Sequence, residues 1–548
     1  MIKKYVVVGA SAGGISAAVR LRRLDEAAEI TVFERSAHVD TAISGLAYVM
    51  GGVVCSNEAL SGQSAQHFLT RYNIKVRLCC EVRAIDRYEK RISVYDEHTG
   101  KSSKYKYHKL ILATGTLAKR PGIDGMDSPG IYTLKDPSDM LGIMQHIKDN
   151  KVRRAAVIGG GNIGLEAAEN LSCCGIKTCV IEQRSHALPS FDGDMAQFAR
   201  TALEDNGVAL ITHSSVLSIA PVDEGLRLSL TDQRAIIADI VILCTGTVPE
   251  VTLAKQAGLA IGVTGGILVD ERQQTTDKDI YAVGDAVEVE TLYGGKMLIS
   301  RESSARRQAR TAADNICGVF SKYKHQLCIS ILKLFDMTMA SAGLTERQLR
   351  DREIKYEKVY TSGLSHAAYY PGAETIIVKL IFDKKLGNIY GAQIVGRDGV
   401  DKRIDVLATA MRAGMTVDKL ADVELAYAPS FSNAKDVVNM AGYVASDVMN
   451  GLTQIVQWHD IKDMEDAMLL DVRTQAEHDA GTIAWSLHIP LDELRVRYTE
   501  LPKDKEIIVF CHSGRRSYEA ERLLRQKGYK VKNLTGGYSL YELFERKG

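Results

Sequence analysis

The first fourteen residues constrain this chain most. Lys3-Lys4-Tyr5-Val6-Val7-Val8-Gly9-Ala10-Ser11-Ala12-Gly13-Gly14 reads as a short buried strand, Tyr5–Val8, that turns through glycines into an Ala- and Leu-rich helix over Ile15–Leu24. Gly9 permits the sharp turn. Gly13 and Gly14 let the helix approach the sheet, and the free helix N-terminus suits a pyrophosphate. A second strand, Ile30–Phe33, ends at Glu34, where an acid would bond an adenosine ribose, and Arg35 follows it. Ser11 takes the middle position of the GxGxxG pattern. A glycine-rich turn in any α/β protein is the plain alternative, and the recurrence of the whole pattern argues against it.

That recurrence is Ala155-Ala156-Val157-Ile158-Gly159-Gly160-Gly161-Asn162-Ile163-Gly164, a full GxGxxG in Gly159, Gly161 and Gly164. A helix over Leu165–Cys173 and a strand over Thr178–Ile181 follow, and the strand ends at Glu182. An acid at the ribose favours NADH, since it repels a 2′-phosphate; Arg184 leaves NADPH open. Each unit has a later echo: Lys109–Ala113 runs into Thr114-Gly115-Thr116, and Ile240–Cys244 into Thr245-Gly246-Thr247. The strand from Ile280 ends in Gly284-Asp285, a turn that suits a carboxylate on the ribityl chain of a flavin. Together these features favour FAD with a nicotinamide nucleotide, and they resemble the flavoprotein reductases with two dinucleotide-binding domains.

At 548 residues the chain has room for three to five domains of ~100–200 residues. A net charge of +1 gives no electrostatic reason to expect nucleic acid. No apolar run reaches the ~18 residues that would suggest a membrane span, and the N-terminus leads straight into a strand, which leaves no room for a signal peptide. Ten cysteines are scattered without a CxxC pair or metal-ligand spacing, so no metal is expected and the expected compartment is a reducing cytoplasm. The pairs Cys79-Cys80 and Cys173-Cys174, and Cys55, read as reduced core residues.

Residues 323–450 read as a domain of another style, with strands near Ile331–Leu334, Lys355–Tyr360, Thr375–Phe382 and Ile389–Val395 and helices at Lys402–Ala413 and Val417–Asp422. Lys333-Leu334-Phe335-Asp336, Ser365–Ala373 and Leu425–Ser432 resemble the coenzyme A disulfide reductase subgroup, which also contains persulfide reductases. The resemblance covers residues 1 to about 450 and implies a homodimer. It further implies a pair of tyrosines that reach the partner's reacting sulfur: Tyr427, with Tyr369 the better match for the other and Tyr370 left open. The alternative is that these aromatics simply pack. The same subgroup binds coenzyme A through basic residues of the first helix, where Arg20 and Arg23 fall.

Asp447–Trp458 reads as a linker, and a new domain starts at Leu469-Leu470-Asp471-Val472-Arg473. The strand Glu506–Phe510 leads into Cys511-His512-Ser513-Gly514-Arg515-Arg516-Ser517, which opens a helix. Loop N–H groups and the helix dipole would favour a thiolate at Cys511, and Arg515 and Arg516 would add to this; the same cradle would hold a persulfide. A phosphatase loop is the rival, but it uses a longer spacer between Cys and Arg. The stretch from about 460 to 548 resembles a rhodanese, or sulfurtransferase, domain.

One position breaks the resemblance. Where the subgroup carries a cysteine beside the flavin, this chain has Ser44, within Asp40-Thr41-Ala42-Ile43-Ser44-Gly45-Leu46-Ala47-Tyr48. A hydroxyl forms no mixed disulfide. An engineered Cys→Ser change and natural divergence both explain it; the further differences at Asp40, Thr41, Ile43 and Ala47 favour divergence. Asp40 also puts negative charge where coenzyme A would lie.

The expected fold is α/β. It comprises two Rossmann-like dinucleotide-binding domains (FAD at 1–120 and 246–322, NAD at 121–245), an α+β dimerisation domain at 323–450 and a rhodanese-like domain at 460–548. The expected function is an FAD-dependent NAD(P)H oxidoreductase that reduces a small sulfane-sulfur substrate. Its rivals are a coenzyme A disulfide reductase with an engineered Ser44, a sulfurtransferase on a non-reducing flavin scaffold, and an NADH oxidase or peroxidase.

Overall fold

A computed structural model describes residues 2–464 and 466–545, which fall into two compact units: one of residues 1–187 and 206–326, the other of 188–205 and 327–548. The first unit contains the same construction twice. Lys4–Val8 is the middle strand of a five-stranded parallel sheet in the order Ile280–Ala282, Lys109–Leu112, Lys4–Val8, Glu29–Phe33, Ile74–Arg77. Arg154–Ile158 is the middle strand of a second, ordered Ala209–Ile211, Lys177–Ile181, Arg154–Ile158, Ile240–Leu243, Ile131–Thr133. Each middle strand is a near-continuous apolar run, as a strand covered on both faces must be. Each lies where the strand order reverses, and in such sheets ligands sit outside the carboxyl ends of the strands at that point.

The glycines do what their spacing predicts. At Gly9 φ is +101°, and a Cβ there would stand 2.2 Å from the carbonyl oxygen of Ala113; at Gly159 φ is +109° and the clash would be with the oxygen of Cys244, at 2.3 Å. The helices that follow begin at Ala12 and Asn162, each a few residues earlier than the apolar pattern alone predicts. The two Thr-Gly echoes meet each other. Thr116–Ala118 pairs antiparallel with Thr247–Pro249. Around this ribbon the contacts are two-fold: Thr114 Oγ1 donates to the Glu250 carbonyl and Thr245 Oγ1 to the Lys119 carbonyl, both at 2.6 Å.

In the second unit an antiparallel sheet runs Ile329–Leu334, Met337–Gly343, Ile389–Gly396, Thr375–Phe382, Glu357–Leu364. Its core is closed by the helices Val400–Arg412 and Val437–Met449. Lys379 is fully buried there, its ammonium 3.0 Å from Asp192 and 2.7 Å from Asp194, with Glu346 completing the cage. Three converging carboxylates would otherwise suit a metal ion, but the lysine already fills the place. Burial opposes the charge on Glu346, yet Lys379 and Lys358 prevail and hold its carboxyl down at about 2.

The tail forms a parallel sheet ordered Ile455–Val456, Lys530–Leu534, Glu506–Phe510, Met468–Asp471, Leu487–His488. The expected linker at 447–458 is mostly structured. Helix Val437–Met449 overruns its start, the Gln454 N–H donates to Glu521 at 2.8 Å, and Ile455–Val456 joins the tail sheet as an edge strand. Three cysteine expectations are also corrected. Cys80 is buried, but Cys55, Cys173 and Cys174 are exposed. Cys173 ends its helix and Cys174 caps it, while Cys55 lies in irregular chain just past the Gly51-Gly52 turn; the burial habit of free cysteine does not hold at such ends.

Candidate active site

The first unit encloses a cavity of about 840 Å³ at the carboxyl ends of its first sheet, bordered by Gly9, Ser11, Gly13, Glu34 and Arg35 on one side. Thr114, Gly115, Gly284 and Asp285 border another, and Ser44, Asn162 and Glu166 reach it as well. That is ample for an extended nucleotide cofactor, and the donor set suits FAD. Asp285 is raised above the usual carboxylate range by burial, with Lys135 opposing; Lys135 is itself lowered by burial. Glu34 and Glu182 have matching environments. Glu34 accepts from the N–H groups of Ala10 and Ser36 at 2.8 and 2.9 Å, and Glu182 from those of Gly160 and Arg184 at the same distances. Each carboxylate is thus locked against the glycine turn of its own fold. No Cβ would meet an atom within 4 Å at Gly161, Gly115 or Gly246, so the space over these turns stays open, while Gly164 is packed against the oxygen of Gly159.

Ser44 lies exposed in a tight turn, Ile43–Gly45, at the start of helix Leu46–Met50. On that helix Tyr48 hydrogen-bonds Glu166, which stands on the helix of the second fingerprint. Burial, with Glu169 adding to it, pushes Glu166 up to about 7; burial and the two acids push the Tyr48 phenol up to about 12. Sequence reasoning missed Glu166. The available signal was an acid two residues beyond Gly164, in the first turns of the fingerprint helix.

The basic residues expected to meet coenzyme A are differently disposed. Arg20 is held by Asp314 at 2.7 Å, whereas Arg23 is exposed. Asp40, at φ +49°, lies 3.6 Å from Arg306. Burial raises its carboxyl and Arg306 opposes the rise.

In the second unit Tyr369 and Tyr427 come together. Both are exposed, and the hydrogen bond with Tyr427 raises the Tyr369 phenol above its ordinary value. Tyr370 instead packs edge-on against His366, with ring centroids 5.4 Å apart.

Cys511, 1% exposed, ends its strand beneath a loop capped by Gly514. The Gly514 N–H donates to its Sγ at 3.2 Å, and Ser517 Oγ lies 3.4 Å from the same sulfur. Tyr538 N donates to the Cys511 carbonyl at 2.7 Å and Ser539 N to that of His512 at 3.0 Å, so the loop is held from behind. Arg516 lies beside the sulfur and makes a bidentate pair with Glu477, both contacts at 2.7 Å. That pair draws Glu477 down to about 2. Arg515 does not join it: its side chain is 85% exposed and leans toward Glu519. As the first residue of a surface helix it faces water rather than the loop.

Residues 3–313 match the pyridine nucleotide-disulphide oxidoreductase model, and 329–439 match the dimerisation domain of the same family. The chain belongs to the pyridine nucleotide-disulphide oxidoreductase family. Like other members of this FAD- and NAD-dependent family it is an oxidoreductase, and residues 456–543 add a rhodanese-like domain. It is 32% identical over 451 residues to a coenzyme A disulfide reductase of Staphylococcus haemolyticus, covering 82% of this chain and all of that one. It is 31% identical to an NADH oxidase of Methanocaldococcus jannaschii, over 82% of this chain and 99% of that one. Two solved structures span nearly the whole length. Reduced Bacillus anthracis CoADR-RHD is 42% identical at a TM-score of 0.97, covering 100% of this chain and 99% of that chain. A NAD-dependent persulfide reductase from A. fulgidus is 37% identical at a TM-score of 0.93, covering 98% and 99%. Among the described residues no helix is long and apolar enough to cross a membrane.

Proposed function

We propose that this oxidoreductase is a homodimer that reduces the outer sulfur of a small persulfide or polysulfide, with Cys511 as the sulfur carrier. Bound FAD would supply the two-electron transfer from NADH to the sulfur–sulfur bond. Glu34 and Asp285 would hold the FAD ribose and ribityl hydroxyls, and Thr114 and Gly115 would pack its edge. Glu182 would take the ribose of NADH and disfavour a 2′-phosphate. Cys511 as thiolate attacks the outer sulfur of R–S–S⁻, forming a new sulfur–sulfur bond and releasing R–S⁻. Reduction of that bond consumes two electrons and two protons and returns the Cys511 thiolate with H₂S. NADH furnishes both electrons and one proton. The phenols of Tyr369 and Tyr427, exposed and bonded to each other, are suited to reach a partner subunit's site and donate to the departing sulfide.

The observation that carries this reading is the contrast between Ser44, which leaves no thiol at the expected place in the cavity, and Cys511, which sits on sulfur-directed donors. Coenzyme A as carrier group is disfavoured by the Arg20–Asp314 pair and by Asp40. Anaerobic NADH consumption should be measured side by side with polysulfide, glutathione persulfide and coenzyme A persulfide. The reading expects turnover with the first two at least equal to the third. Turnover confined to coenzyme A compounds overturns that substrate assignment, and protein purified without bound flavin overturns the whole reading.

A further inference from the structure

Two polar residues are buried beneath the tail's sulfur. Ser517, in the first turn of helix Arg515–Gln526, is fully buried, and Asn533 on strand Lys530–Leu534 is 7% exposed. The Ser517 hydroxyl has one hydrogen and three acceptors in reach: Cys511 Sγ at 3.4 Å, the Gly514 carbonyl at 3.1 Å and Asn533 Oδ1 at 2.8 Å. The Asn533 amide cannot turn freely. Its Nδ2 donates to the Gly514 carbonyl at 3.3 Å, which presents Oδ1 to Ser517. The strand beneath is fixed too, since the Asn533 N–H donates to the Gln454 carbonyl at 2.7 Å. Burying two such groups costs free energy unless every contact is made, and the space between a helix and a sheet is ordinarily filled by apolar side chains. Here instead the Ser517 hydroxyl reaches the sulfur and the Asn533 amide reaches the hydroxyl.

We propose that Ser517, oriented by Asn533, is a positioning residue for Cys511. Its single hydrogen turns to Sγ when the sulfur is anionic and to Asn533 Oδ1 when the sulfur is a neutral thiol or carries an outer sulfur atom. A bond to an anion is charge-assisted and outcompetes the amide oxygen; once the charge has moved to the outer sulfur, the amide regains the hydrogen. The other charged groups around the thiol are Arg516 with its partner Glu477 and the ion pair of Asp471 with Arg473 at the end of the neighbouring strand. The relay therefore supplies a neutral side-chain donor, beside the Gly514 N–H, in a site whose charges are otherwise paired. The proposal rests on Cys511 being the sulfur carrier.

The test compares Ser517→Thr with Ser517→Val in the full-length flavoprotein, a hydroxyl against a methyl at equal size. Alkylation of Cys511 by iodoacetamide is followed on its peptide by mass spectrometry. The Thr variant should react within about twofold of wild type and the Val variant about tenfold more slowly, the effect of losing a hydrogen bond to a charged group. Ser517→Ala provides a smaller second variant and should resemble Val. FAD content and NADH-dependent flavin reduction should be unchanged in all three. Equal alkylation rates in Thr, Val and Ala overturn the proposal. The carrier reading is judged separately: if wild-type Cys511 gains no sulfur mass from thiosulfate, that reading fails whatever the alkylation rates.

Discussion

Ser44 and Cys511 occupy comparable local positions. Each lies in a tight turn just ahead of a helix, Leu46–Met50 for Ser44 and Arg515–Gln526 for Cys511. Their surroundings present different groups. The cavity that Ser44 borders carries the carboxyls Glu166 and Asp285, both raised by burial, along with the cations Arg35 and Lys135. Around Cys511 the loop presents an N–H, a hydroxyl and a guanidinium. The Cys511 loop directs donors at its sulfur. The chain carries a hydroxyl at the cavity and a thiol where an N–H and a hydroxyl converge on the sulfur.

The sharpest way to break this contrast is Cys511→Ser. It should abolish sulfur transfer from thiosulfate to cyanide by at least about a thousandfold, while stopped-flow flavin reduction by NADH stays within about twofold. Loss of both activities would mean the two centres are not separable. Next is Ser44→Cys. The native protein, reduced anaerobically with NADH, should show no thiolate-to-flavin charge-transfer absorbance; the variant should show it and turn over small disulfides about tenfold faster, equivalent to ~1.4 kcal/mol off the barrier. A band in the native protein contradicts the serine reading.

Glu166 offers a smaller effect. Its folded value near 7 lies above that of an unfolded glutamate, so the fold favours its protonated form. Its contribution is therefore fully present below about 4.3 and is lost as pH rises through about 7. Glu166→Gln should flatten the fall in melting temperature over that window, measured by differential scanning fluorimetry on the holoprotein. The smallest expected effect is at Glu477, which is partly exposed and drawn down to about 2 by Arg516. Its contribution is present above about 4.3 and lost as pH falls through about 2, so Glu477→Gln should reduce the acid sensitivity of the tail by circular dichroism.

Both dinucleotide folds were legible because glycine spacing reports a local backbone demand, and the same holds for Gly284-Asp285 and for the loop after Cys511. The Thr-Gly echoes were visible as sequence, but nothing local announces that residues 116–118 would pair with 247–249. Glu166 and Asn533 were missed for a related reason: each sits inside an ordinary helix or strand, and only tertiary packing aims it at a site. Cys55, Cys173 and Cys174 misled in the opposite direction, because a residue type's average burial says little about the last turn of a helix or a loop.

The strand Glu357–Leu364 is the outermost of its sheet. The Tyr360 N–H donates to Thr535 Oγ1 at 3.0 Å, and the Lys358 carbonyl accepts from Gln457 Nε2 at 3.1 Å. The rhodanese-like module therefore shields a β-edge. A polypeptide shortened to end near residue 450 would bare the Tyr360 N–H and the Lys358 carbonyl on a sheet edge, a surface that can recruit further strands. What looks like detachable cargo is also a chaperone for its neighbour's rim, and shortened versions should be judged first by whether they stay dispersed.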